Sequence, residues 1–262
     1  MIDSEFEEHI RSQIEAHAPN KESYSLIAKV ANVGIALLVY ACDGGIARRV
    51  RDVQTQWMGC GPMNMGNKGA VGVRFRVAGD EDAVGEVFTW VNLVLLLHLS
   101  LTGTPESFVC AHLAAHEVNL ARRIADYHHI VSCLVFPPLS AEKSSATTIF
   151  STSHLFFLGD LNFRLSIPAP HPLSGIVTRP DFPAAMRDQS FRREMKEFDQ
   201  LLVERRKSTV FVGLREGEFW KFKCSYKYHL GENDKYRYDL PTHSSLHILK
   251  CYQRQTDTLL DG

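Results

Sequence analysis

The sequence predicts an α/β (α+β) fold rich in strands. Apolar or alternating runs at 24–31, 33–41, 70–77, 108–113 and 155–158 are bounded by turn residues, as strands are. Apolar residues recur at helical spacing over 3–17, 117–136 and 189–206. A hydrophobic share of 45% over 262 residues supports a core of domain size. The 29 basic and 30 acidic residues leave a formal net charge of −1. Nothing global therefore draws the chain to nucleic acid, and any anion site has to be local.

Phe6, Ile10 and Ile14 mark the first helix, with Asp3 or Ser4 as its cap and Pro19 and Asn20 at its end. Tyr24–Ala31 and Val33–Ala41 follow as strands. The second is nearly all apolar and so is expected to be covered on both faces. After the Asp43-Gly44-Gly45 turn, Ala47–Gln56 alternates in part, like an antiparallel strand with one wet face. The segment 58–69, MGCGPMNMGNKG, reads as a loop. Its glycines let backbone N–H groups approach an anion and Lys68 adds a point charge, although hairpin turns use the same letters. It is no P-loop, since GxxxxGK[ST] is absent and a strand follows. That strand places Val71, Val73, Phe75 and Val77 on one face and Arg74 and Arg76 on the other.

Val87–Leu101 is strongly apolar, but it contains Asn92 and His98 and falls short of the roughly 20 residues a spanning helix needs. It reads as a buried segment or an insertion. His112 ends the strand at 108–113. HLAAH lacks the glutamate of HExxH, so His112 reads as a donor to a phosphate oxygen or as a satisfied core histidine, not as a zinc ligand. Leu120, Ile124, Tyr127, Ile130, Val131 and Leu134 stripe the helix 117–136, which Pro137 and Pro138 close.

The centre of the chain is HLFFLGDLNFR, 154–164. Its apolar strand stops at Gly159, and Asp160 and Asn162 stand two apart at the strand's carboxyl end. An acid beside an amide at the mouth of a sheet can orient a water and hold a phosphate oxygen. The same pair also favours a capped turn. Five prolines mark Ser166–Pro183 as a surface loop, and Phe191, Met195, Phe198, Leu201 and Leu202 mark a helix over 189–206. Phe211–Phe222 reads as a turn around Gly217 into a short strand. Tyr226, Lys227 and Tyr228 alternate in a way that suits either a phosphate grip or an edge strand. Residues 1–238 read as one domain and 239–262 as a loosely ordered tail. The six cysteines form no CxxC pair and suggest free intracellular thiols, and the charged N-terminus shows no secretory h-region.

GNKGAVGVRF (66–75), FVCAHLAAHEVN (108–119), FFLGDLNFRL (156–165) and REGEFWKFKCSYKY (215–228) occur in this order. Together they closely resemble the catalytic domain of inositol polyphosphate 5-phosphatases. The resemblance implies the DNase I-like endonuclease/exonuclease/phosphatase fold: a four-layer sandwich of two mixed sheets flanked by helices, here incomplete at its N- and C-terminal edges. It also implies Mg²⁺-dependent removal of the 5-phosphate from phosphoinositides such as PI(4,5)P2 or from soluble inositol polyphosphates. Such an enzyme works in the cytoplasm, peripherally at membrane surfaces, with no nucleic-acid partner. Carried over by motif, Asp160 activates the attacking water, Asn162 stabilises charge on the phosphoryl oxygens and His112 donates to the scissile phosphate. Asn67 and Lys68 line the substrate cleft, Tyr226 and Lys227 contact a neighbouring ring phosphate, and Arg164, which matches the family arginine after GDLN, is a further substrate-binding candidate.

The departures concern the ends. Residues 1–23 resemble the helix that follows the family's Mg²⁺-binding glutamate, so the usual glutamate ligand has no counterpart and the metal ligands stay unassigned. DLPTHSSLHILKCY stands where the family has an Asp-Arg pair and then a final Asp-His, so Asp239 and His247 take no role. Trp90–Ser107 has no family counterpart and is expected to be an insertion. Because metal charge contributes several kcal/mol and each ~1.4 kcal/mol is tenfold in rate, weak or absent turnover is the expectation. A nuclease of the same fold and a non-catalytic phosphoinositide binder are the rival readings.

Overall fold

The structure is a computed structural model. It describes residues 3–18, 21–64, 67–78, 86–91, 97–99, 105–138, 147–152, 154–176, 181–221, 229 and 252–253. Tyr226, Lys227 and most of 92–104 and 230–262 lie outside the described residues. The chain divides into two compact units interleaved in sequence. One comprises Met1–His112, His129–Leu158 and Gln253–Gly262; the other comprises Leu113–His128 and Gly159–Tyr252.

The strands are β1 (Tyr24–Asn32), β2 (Ile35–Cys42), β3 (Val50–Gly59), β4 (Gly69–Val77), β5 (Glu86–Val91), β6 (Leu97–Leu99), β7 (Pro105–His112), β8 (Val135–Phe136), β9 (Thr147–Thr148), β10 (His154–Asp160) and β11 (Tyr252–Gln253). In the first unit, β1-β2-β5-β6 form an antiparallel sheet. A second sheet, ordered β11-β10-β7-β4-β3, packs against it. Trp90 and Val91, placed by sequence in an insertion, lie in β5 opposite Val39 and Leu38.

Helix α1 (Ser4–His17) starts where Asp3 accepts the Phe6 N–H at 2.9 Å. Ile10 and Ile14 press on Tyr24, Leu38, Tyr40 and Cys42, so β2 is covered on both faces, as its apolar run requires. β2 begins two residues later than expected because Val33 and Gly34, at φ +73°, form the hairpin turn. β3 also begins late: Ile46–Arg49 is a 3₁₀ turn, pinned where Arg49 Nε donates to Ala78 O at 2.8 Å.

Arg74, which the alternation places on the face opposite Val71, Val73, Phe75 and Val77, is fully buried. It donates to Thr147 Oγ1 and, at 2.9 Å, to Ser151 O, because the 147–151 segment covers that side of β4. Arg76, half-buried, pairs with Asp52. The helix predicted to reach Phe136 ends earlier: α2 spans Leu120–Cys133, and Val135–Phe136 pairs with Thr147–Thr148. Gly72 makes this possible, since a Cβ there would lie 3.0 Å from Phe136 and 3.2 Å from Leu134. On the opposite side of β4, Phe75, Phe108 and Phe156 stack in series with centroids 5.4 and 4.8 Å apart.

In the second unit the single helix expected over 189–206 is two. α3 (Phe182–Ala185) precedes them. α4 (Gln189–Met195) runs through a 3₁₀ turn to Asp199, whose carboxylate accepts from Leu201 and Leu202 N–H and starts α5 (Gln200–Arg206). A capping aspartate in extended backbone ends one helix and opens the next. The proline-rich 166–183 stretch is more than surface loop, for Ile176 and Phe182 join Leu165, Met186 and Met195 in a core. Buried Arg192 ties it together by donating to Met186, Arg187 and Trp220 carbonyls. Phe219–Lys221 is a 3₁₀ turn where a short strand was expected. Among the described residues no helix is long and apolar enough to cross a membrane.

Candidate active site

In the first unit, the candidate residues gather at the ends of β3, β4 and β7. Gly69 stands opposite both Gly59 and His112. A Cβ on Gly69 would fall 2.1 Å from Met58 O and 2.8 Å from Gly59 Cα, so only glycine lets these strands close. Lys68, just before Gly69, is thereby brought to His112, and its Nζ meets the ring Nε2. Cys60 N–H donates to Lys68 O at 2.8 Å and closes the loop at its root. Asn67 is exposed, its backbone facing Gly34.

In the second unit, the chain leaves β10 through Gly159 at φ +119° and turns sharply, with Leu161 N–H donating to Gly159 O at 3.1 Å. Asp160 ends the strand exposed, and its Oδ1 accepts the Asn162 N–H at 3.2 Å. Asn162 does not continue the strand's alternation. It takes φ +54°, a conformation asparagine tolerates, and is buried to 3% exposure. Its Nδ2 donates to Leu113 O at 2.9 Å, and its Oδ1 accepts from Arg164 Nη2 at 2.5 Å. Arg164 was expected at the substrate; its Nε also turns back, to Asn162 O at 3.0 Å. One Asn162 amide N–H takes no acceptor among the described residues. The capped turn expected of the acid–amide pair is present, and it sets the Asp160 carboxylate beside a fixed amide.

Residues 1–243 match the Endonuclease/Exonuclease/phosphatase family 2. The chain belongs to this family. Among the relatives of this endonuclease/exonuclease/phosphatase chain is the Type II inositol 1,4,5-trisphosphate 5-phosphatase of Mus musculus, 29% identical over 87% of the chain and 19% of that protein. Another is Phosphatidylinositol 3,4,5-trisphosphate 5-phosphatase 1 of Xenopus laevis, 30% identical over 73% of the chain and 16% of that protein. The chain thus spans less than a fifth of either. A solved structure, the inositol polyphosphate 5-phosphatase domain of SPsynaptojanin in complex with inositol (1,4)-bisphosphate and calcium, superposes with a TM-score of 0.64 at 22% identity. The match covers 96% of the chain and 60% of that domain and shows the shared α/β fold of mixed sheets with flanking helices.

Sequence reasoning missed three residues around the second-unit turn. Arg123 is fully buried with its guanidinium 5.6 Å from the centre of the Phe163 ring. Burial, and then the charge of Arg164, lower its pKa to about 10, so it stays protonated at neutral pH. Buried Asp126 accepts Ala114 N–H at 3.0 Å and Arg122 Nε at 3.0 Å. Gln200 accepts from Arg123 Nη2 at 2.5 Å. A signal existed: Arg123 and Asp126 sit four and one residues before Tyr127, on the apolar stripe where a charge must find buried partners.

Proposed function

We propose that this chain hydrolyses the 5-phosphate of inositol phosphates or phosphoinositides, working from the cytoplasm at the membrane surface when the substrate is a lipid headgroup. The observation that carries the reading is the Asp160–Asn162 turn, an exposed carboxylate next to a buried amide held at both ends. Asp160 takes the proton of the attacking water, the phosphorus–oxygen bond to the ring opens, and the departing oxygen gains a proton to become the ring hydroxyl. The remaining N–H of Asn162 donates to phosphoryl oxygen. By their motifs, Lys68 is assigned to neutralise phosphate charge, His112 to donate to the scissile phosphate and Asn67 to line the substrate cleft. Arg164 serves by holding Asn162. Tyr226 and Lys227 are assigned to the neighbouring ring phosphate by their motif.

Mg²⁺ is the proposed cofactor, supplying charge neutralisation when bound. The described residues do not by themselves fit such an ion. No three His, Cys, Asp or Glu side chains among them converge, Asp160 commits Oδ1 to Asn162 N–H, and Asn162 Oδ1 is held by Arg164. That observation favours the second reading, a binder that grips the phosphate without turning it over.

The test is phosphate release from inositol 1,4,5-trisphosphate and from PI(4,5)P2 vesicles, with and without Mg²⁺, with binding measured in parallel. Mg²⁺-dependent release lost in Asp160→Ala supports the hydrolase. Binding without release selects the binder. Plasmid nicking without lipid phosphate release selects a nuclease. Absence of all three overturns the reading.

A further inference from the structure

Arg123 and Gln200 link two loops of the second unit. Arg123 Nη1 donates to Ala114 O at 3.1 Å and His116 O at 2.5 Å, and Nη2 to Glu117 O at 3.2 Å and Gln200 Oε1 at 2.5 Å. The same Gln200 oxygen accepts Arg164 N–H at 3.0 Å, while Gln200 N–H donates to Arg164 O at 3.0 Å. Both backbone groups of Arg164 are therefore held by one residue. Arg164 in turn spends Nε and Nη2 on Asn162. All four residues are at least half-buried, and Gln200 is 6% exposed, so water competes poorly for these bonds.

We propose that Gln200, oriented by Arg123, is a positioning residue for the Asp160–Arg164 turn. It fixes the Arg164 peptide, through that the guanidinium, and through the guanidinium the amide plane of Asn162. The acceptor on Gln200 is the element that matters: both partners of its oxygen only donate, whereas the bond from its Nε2 to Glu117 O is long, at 3.4 Å. A leucine of similar size keeps the volume and loses the oxygen. A glutamate keeps the oxygen and pairs with the buried Arg123 cation. A lysine at 123 keeps the charge but lacks the fork that reaches three carbonyls and an amide at once.

The catalytic part of this inference rests on the proposed hydrolase; the positional part does not. The experiment uses the full chain and two readouts, kcat and KM on inositol 1,4,5-trisphosphate and solvent exchange of the Asn162 side-chain amide by NMR. Gln200→Leu is expected to lower kcat about 100-fold with KM within about twofold, and to speed Asn162 amide exchange at least about tenfold. Gln200→Glu restores both, and Arg123→Lys behaves as Gln200→Leu. A merely structural role lowers thermal stability alike but leaves kcat of the folded fraction and the exchange rate at parent values; that result overturns the proposal. If Gln200→Leu does not fold, Gln200→Glu and Arg123→Lys decide: equal effects in the two variants overturn it. If the parent chain shows no turnover, the hydrolase reading fails and the exchange rates alone judge Gln200.

Discussion

The side-chain amide of Asn162 donates to the carbonyl oxygen of Leu113 at 2.9 Å, across 49 residues of sequence. Leu113 follows His112 in the chain, and its own N–H donates to Asp160 O at 3.1 Å. The peptide leaving β7 and the turn leaving β10 are therefore locked by reciprocal bonds.

Asn162→Ala tests that lock. It strips a donor from Leu113 O and an acceptor from Arg164, and it places alanine at φ +54°. The expected loss is about 2–4 kcal/mol, read as a shifted urea midpoint with unchanged slope. Where the parent turns over, kcat falls about 100- to 1,000-fold.

Two glycines should separate steric from conformational cost. Gly69→Ala drives a methyl to 2.1 Å from Met58 O, whereas Gly213 has φ +76° with nothing within 4 Å of an added Cβ. Gly213→Ala is expected to cost about 1–2 kcal/mol. Gly69→Ala is expected to exceed about 4 kcal/mol or to leave no soluble protein. Thermal melts of the two variants side by side check the order.

The acid limb of stability should depend on Glu204. Burial opposes its ionisation, but hydrogen bonds from Lys207 Nζ and Thr209 Oγ1 outweigh burial and hold the carboxyl below its ordinary range. A lowered folded value contributes stability above the unfolded pKa of about 4.3 and loses it as pH falls through the folded value. Glu204→Gln is therefore less stable than the parent at neutral pH, and the gap narrows below about pH 4. Urea midpoints measured down the pH scale would show it.

Thiol labelling should find one fast site among the described cysteines. Cys42, Cys60 and Cys110 are buried, Cys42 with its thiol pKa pushed up by burial, and Cys133 is exposed beside His129 Nδ1 at 3.5 Å. Brief iodoacetamide treatment of the native protein followed by peptide mapping is expected to modify Cys133 before those three.

Local pattern and pairing contributed differently to what could be read in advance. α1, β1, β2, β4, β7 and β10 stand where periodicity put them, because each buries a face its own residues declare. Arg74 escaped, since alternation tells which residues share a face but not that Thr147–Ser151 will cover it. The break at Asp199 was open to reading as a cap and was hidden by an apolar spacing that runs through it. Of the candidate residues, Lys68, His112, Asp160 and Asn162 were visible in motifs. The orientation of Asn162 was not, because it depends on Leu113, Arg164 and Gln200, far apart in sequence and joined through backbone groups, side-chain amides and the Arg164 guanidinium.

The Cys60–Lys68 bond leaves a different legacy. The Cys60 N–H to Lys68 O bond closes the connection from β3 to β4 at its base. Doubling such a connection adds only about 0.6 kcal/mol of closure entropy. Descendants of this gene could lengthen or rewrite that span, trying new contacts with whatever approaches it, while the lysine at its foot stays put.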